Sequence, residues 1–86
     1  MSKRKHAETL RDIFAQPVHA SVRWSDIESL LEFLGAEIDE GNGSRVRVAL
    51  NGVRAVFHRP HSERTTDKGA LKSVRRFLIE AGVRPE

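Results

Sequence analysis

Residues 41–72 read GNGSRVRVALNGVRAVFHRPHSERTTDKGALK, and this stretch decides the fold. Asn51-Gly52 lies between two runs of alternating character, Ser44 to Leu50 and Val53 to Arg59. A two-residue Asn-Gly connection is the strongest short hairpin signal, because a type I′ turn needs positive φ at both central residues. The turn also sets the register. Leu50 opposes Val53, Val48 opposes Ala55 and Val46 opposes Phe57, so all six apolar residues share one face. The other face pairs Ala49 with Arg54, Arg47 with Val56 and Arg45 with His58. The apolar face expects a layer of helices; the other is basic, carries a histidine and looks outward.

Working outward, Ala36 to Glu40 alternates and reads as a short edge strand with Ala36 and Ile38 inward. Asp39 and Glu40 are then solvated edge charges, and Gly41-Asn42-Gly43 is a turn. Before it, Ser25-Asp26-Ile27-Glu28 fits a capping box, in which Ser and Glu side chains each satisfy a free backbone amide. Asp26 adds negative charge in the first turn, where the helix dipole favours it. Ile27, Leu30, Leu31 and Leu34 make one buried stripe, and Gly35 closes the helix. After the hairpin, residues 60–66 are loop and Asp67 caps the last helix. Ala70, Leu71, Val74, Phe77, Leu78 and Ala81 form that helix's buried stripe. Lys68, Lys72, Arg75 and Arg76 share roughly the opposite side, within about 100° of arc. Gly82 and Pro85 end it.

Residues 1–23 form a leader. Met1 to Lys5 is a basic tail, and Ala7, Leu10, Ile13 and Phe14 give helical spacing over residues 6–15, ended by Pro17. So short a helix is marginal alone and must dock on the domain or on another chain. Gln16 to Arg23 is an extended connector. Residues 24–86 are the domain. The fold class is α+β: an extra N-terminal helix, then α-β-β-β-α. Its antiparallel three-stranded sheet has both helices on one face, the architecture of the double-stranded-RNA-binding fold.

The bulk numbers agree with one small domain. The chain has 86 residues, of which 38% are hydrophobic and 31% charged. Lys and Arg number 15 against 12 Asp and Glu, a formal charge of +3. Such an excess, concentrated on one face, favours an anionic partner. The absence of cysteine excludes disulfides and thiolate metal sites. No apolar run follows the basic start, so neither a signal peptide nor a membrane span is expected, and the default location is cytoplasmic.

Several short motifs together resemble the HicA family of bacterial toxins, over Ser25 to Val83. They are Leu34-Gly35 at a helix end, Gly43-Ser44 opening a strand, and Pro60-His61 after the hairpin. Lys68-Gly69-Ala70-Leu71-Lys72-Ser73-Val74 opens the last helix and Ala81-Gly82-Val83 closes it. The resemblance implies the double-stranded-RNA-binding-like fold, ribosome-independent cleavage of mRNA, and neutralisation by a HicB-like antitoxin encoded alongside. Family members commonly carry a histidine directly after the Gly-Ser pair. Here that position is Arg45.

Metal-free RNA cleavage needs a base for the ribose 2′-OH, an acid for the leaving 5′-oxygen and positive charge at the phosphorane. Histidine suits the proton transfers, with an unperturbed pKa of ~6.5. His6 and His19 lie in the leader and are poor candidates; His58 and His61 flank Arg59-Pro60. The register makes position 45 and His58 cross-strand neighbours, with Cβ atoms ~4.5–5.5 Å apart. His58 is therefore expected to take over the proton chemistry, with Arg45 binding the phosphate and His61 as the second proton carrier or an RNA contact. Ser44, Arg45, Arg47, Arg54, Lys68, Lys72, Arg75 and Arg76 are the candidate RNA-binding residues. Lys68 starts a helix, where free amides favour an anion. Trp24 and the four Phe residues are assigned to the core, so recognition is by backbone and shape. No cofactor and no metal is expected, because His58 and His61 alone are too few ligands. Two further readings stay open: a relative that binds RNA without cutting it, and a module whose basic face only docks an antitoxin.

Overall fold

The computed structural model describes residues 3–18, 22–60 and 65–85. The elements in chain order are α1 (Lys3–Phe14), α2 (Trp24–Phe33), β1 (Glu37–Glu40), β2 (Arg45–Leu50), β3 (Val53–His58) and α3 (Lys68–Glu80). The strands form one antiparallel sheet in the order β1-β2-β3, so the α+β meander is the architecture observed. The Asn-Gly turn behaves as its chemistry requires. Asn51 has φ 52° and Gly52 φ 83°. The β2–β3 register is the one the turn dictates, from Leu50 opposite Val53 to Arg45 opposite His58.

The core lies on one side of this sheet. Val46, Val48, Leu50 and Phe57 point into it and meet Ile27, Leu30 and Leu31 of α2 and Leu71, Val74, Phe77 and Leu78 of α3. Phe57 sits between Trp24, at 6.0 Å between ring centroids, and Phe77, at 5.7 Å in an edge-on contact. Helices α2 and α3 end in the same motif. Ala36 N–H donates to the Leu31 carbonyl at 2.9 Å, and Val83 N–H to that of Leu78 at 2.9 Å, the six-to-one bond of a Schellman cap. Asp67 caps α3 as expected, accepting from Ala70 N–H at 2.7 Å.

The start of α2 differs from the capping-box expectation. The helix begins at Trp24, with Arg23 rather than Ser25 as N-cap and no side-chain cap. Amides of Asp26 and Ile27 donate instead to the Arg23 carbonyl, at 3.1 and 3.2 Å. Glu28 does not reach back because its carboxylate is engaged elsewhere, by the Trp24 indole N–H at 2.8 Å and by Arg59. A charged guanidinium outcompetes a neutral amide for a carboxylate.

The helix of the leader begins earlier than its apolar spacing indicates. Helix α1 starts at Lys3 rather than at residue 6, and Ile13 is fully buried in the common core. Arg75 fastens its end: Nε donates to the Ile13 carbonyl at 2.9 Å and Nη2 to that of Ala15 at 3.0 Å. These carbonyls lack helical partners at a C-terminus, where a cation is also favoured by the helix dipole. His6 is 5% exposed and stacks on Phe33 with centroids 4.5 Å apart. Phe33 itself is 52% exposed, so not every Phe belongs to the core. Val22 accepts from Thr66 N–H at 2.7 Å, and Arg23 pairs with Thr65 in an isolated bridge, which ties the connector to the segment before α3.

Candidate functional site

Side chains alternate along a strand, so burying positions 46, 48, 50 and 57 sends positions 45, 47, 49, 54, 56 and 58 to the open face. That face presents three rows: Glu37, Ala49 and Arg54; then Asp39, Arg47 and Val56; then Arg45 and His58. Arg45, Arg47, Arg54, Val56 and His58 are all exposed. The amide of Arg59 donates to the Ser44 carbonyl at 2.8 Å. Residues 44 and 59 therefore form the hydrogen-bonded rung, and Arg45 with His58 the neighbouring pair without such bonds. Side chains in that kind of pair are the closer ones, with Cα atoms about 4.5 Å apart. Gly41 permits the preceding turn to close over this row: a Cβ there would lie 3.2 Å from Cβ of Arg45. A polar cleft lined by Glu40, Gly41, Asn42, Arg45, Arg47 and Val56 opens beside it.

The eight candidate RNA-binding residues do not form one surface. Arg45, Arg47 and Arg54 face away from the helices, whereas Lys68, Lys72 and Arg76 are exposed on the side of α3 opposite its buried stripe. The sheet and helix layers stand between the two sets. Arg75, half-buried, is committed to the end of α1. Arg47 is paired with Asp39 at 2.8 Å, an ion pair that crosses the open face from β1. Acidic Glu37 lies on the same face, so its charge is mixed. On α3, the helix start is already occupied by the Asp67 carboxylate, which weakens the case for an anion beside Lys68. Half-buried Ser44 contributes its backbone carbonyl to the last rung.

His58 is exposed and sits opposite Arg45, whereas His61 and His19 lie outside the described residues. His6 is buried in a groove among Leu10, Leu30, Phe33, Leu34 and Val83, remote from this face and without an acid lining it. Among the described residues, no three His, Asp or Glu side chains converge as metal ligands do. No helix among them is long and apolar enough to cross a membrane.

One residue beside the site was not singled out from the sequence. Arg59 donates from Nη2 and Nε to Glu28 Oε2, at 2.7 and 3.2 Å, and its Nη1 lies 3.5 Å from Glu40. The hydrogen bond Arg59 donates to Glu28, reinforced by the charges of Glu28 and Glu40 and opposed by partial burial, makes Arg59 hold its proton more firmly than a free arginine. The only sequence signal was Arg59 preceding Pro60, where a strand must stop.

The fold and this face define a small α+β protein with an exposed Arg–His pair at one end of an antiparallel hairpin. The chain belongs to the HicA toxin family: the family model described as HicA toxin of bacterial toxin-antitoxin matches residues 24–83. It is thus the toxin side of a toxin–antitoxin pair. The match begins at Trp24 and leaves α1 outside. No curated protein and no solved structure matches the chain.

Proposed function

We propose that this chain is an endoribonuclease that cuts mRNA, acts in the cytoplasm and is neutralised by a HicB-like antitoxin covering the open sheet face. The observation that carries the reading is the Arg45–His58 pair, opposed without intervening backbone hydrogen bonds on an exposed face. In this reading His58 takes the ribose 2′-OH proton, Arg45 neutralises charge on the phosphorane, and His61 returns a proton to the leaving 5′-oxygen. No cofactor enters the scheme. Arg54 and, once released from Asp39, Arg47 add backbone contacts on the same face. Lys68, Lys72 and Arg76 hold a separate stretch of RNA on the α3 side, as the helix start does in double-stranded-RNA binders. The layout of helices on one face of a three-stranded sheet supports the kinship with that fold.

The test is expression of wild type beside His58→Ala and His61→Ala, scored for growth and mRNA decay. Wild type should arrest growth and His58→Ala should not; full activity in His58→Ala would sink the assignment. A second reading, binding without cleavage, is favoured by Arg45 standing where family members commonly place a histidine. It predicts RNA retardation in gels with no growth arrest. RNA binding in either case should weaken steeply with salt, each neutralised phosphate contributing ~0.7–0.9 to the log–log slope.

A further inference from the structure

We propose that Glu28 is a positioning residue for the Arg45–His58 pair and acts through Arg59; this rests on reading that pair as the RNA-cutting site. Strand alternation sends the side chains of Phe57 and Arg59 toward the helices and that of His58 to the open face. His58 is therefore held between two anchored neighbours. Phe57 is gripped by Trp24 and Phe77. Arg59 is gripped by Glu28, whose Oε2 accepts from Nη2 at 2.7 Å, Nε at 3.2 Å and the Trp24 indole at 2.8 Å. Three donors on one oxygen fix the carboxylate, and the carboxylate fixes the guanidinium.

The Arg59 amide then closes the last rung of the ladder on the Ser44 carbonyl at 2.8 Å. Among the described residues this is the last rung, and Pro60, which has no N–H, follows it. A terminal rung frays unless a tertiary contact holds it. The spacing of Arg45 and His58 is set one residue inside that rung, so it depends on the grip of α2 on Arg59. Glu40 adds a looser contact at 3.5 Å and is 72% exposed, too solvated to replace Glu28. The Glu28–Arg59 side chains are themselves 26% and 34% exposed. A pair so accessible contributes little to global stability, and its role is local.

The experiment compares purified full-length wild type, Arg59→Gln, Glu28→Gln and Glu28→Ala on radiolabelled mRNA. Arg59→Gln and Glu28→Ala should each slow cleavage at saturating RNA by ~10-fold or more, the scale of a misplaced reacting group. The half-saturating RNA concentration and the salt slope of binding should stay as in wild type. Glu28→Gln should fall between, since its amide oxygen still accepts from the indole and guanidinium. Wild-type rates in Arg59→Gln and Glu28→Ala overturn the proposal. So does a salt slope smaller by ~0.7–0.9 in Arg59→Gln, which would make Arg59 a direct phosphate ligand. Arg59→Gln leaves the Trp24–Glu28 bond in place and decides the matter if Glu28→Ala does not fold. A wild type that binds RNA without cutting it overturns the cleavage reading instead, and amide exchange then judges the clamp. Exchange at the position-59 amide should rise ~10-fold or more in Arg59→Gln while the Val48–Ala55 rung is unchanged, the pattern of local opening. Equal exchange at that amide overturns it.

Discussion

The two ends of the β2–β3 ladder are built on different principles. At the turn end, two adjacent residues, Asn51 and Gly52, adopt positive φ and close the hairpin by local chemistry. A distant hydrogen bond is added there, from Asn51 Nδ2 to the Ala81 carbonyl at 2.8 Å. At the open end, among the described residues, no tight turn joins β2 to β3. Glu28, 31 residues away in sequence, holds Arg59, and Gly41 lets a turn close over Arg45. Under the proposed function, the site sits at the open end. The turn end makes the register, and the open end exposes the pair that the register brings together.

The largest expected effect separates the two ends by activity. His58→Ala should lower RNA cleavage by at least ~100-fold, the range for losing a positioned proton carrier, with an unchanged melting curve. Single-turnover assays beside circular dichroism check both halves. Gly52→Val should do the reverse. It forces a β-branched residue to φ 83° where a Cβ meets nothing within 4 Å, so the cost is backbone strain alone. About 2 kcal/mol of stability should be lost in urea unfolding, with cleavage per folded molecule retained. Asn51→Ala removes both a tolerated positive φ and the bond to Ala81, and should cost about 1–2 kcal/mol in the same assay. The smallest effect sharpens the open face. Asp39→Asn breaks an ion pair whose partners are 73% and 59% exposed, so unfolding should shift by less than ~0.5 kcal/mol. RNA binding should nonetheless gain up to one phosphate contact, seen as a salt slope steeper by ~0.7–0.9, because Arg47 is released.

Much of the frame was legible. Alternation, the Asn-Gly turn, the Leu stripe of α2 and the Asp67 cap are short-range signals, and each reappears with its expected partner. The departures from the expected arrangement arise through long-range packing. Ser25 and Glu28 have capping-box spacing, but Trp24 and Arg59 claim the carboxylate. Arg75 falls on the basic side of α3, yet α1 supplies it with two carbonyls. The charges gathered into one phosphate surface divide because the sheet and helix layers turn them to opposite sides. In the first two cases a charged side chain found a partner distant in sequence.

By itself, the sequence determined the element order, the hairpin register and hence the placing of Arg45 opposite His58. These follow from turn conformation and side-chain period, which act over a few residues. The tertiary structure decided which cations remain available, how the leader is fastened and what holds the open end of the hairpin. The reach of an arginine or a glutamate spans elements that only packing brings together, and no local pattern encodes which carboxylate or carbonyl it will meet.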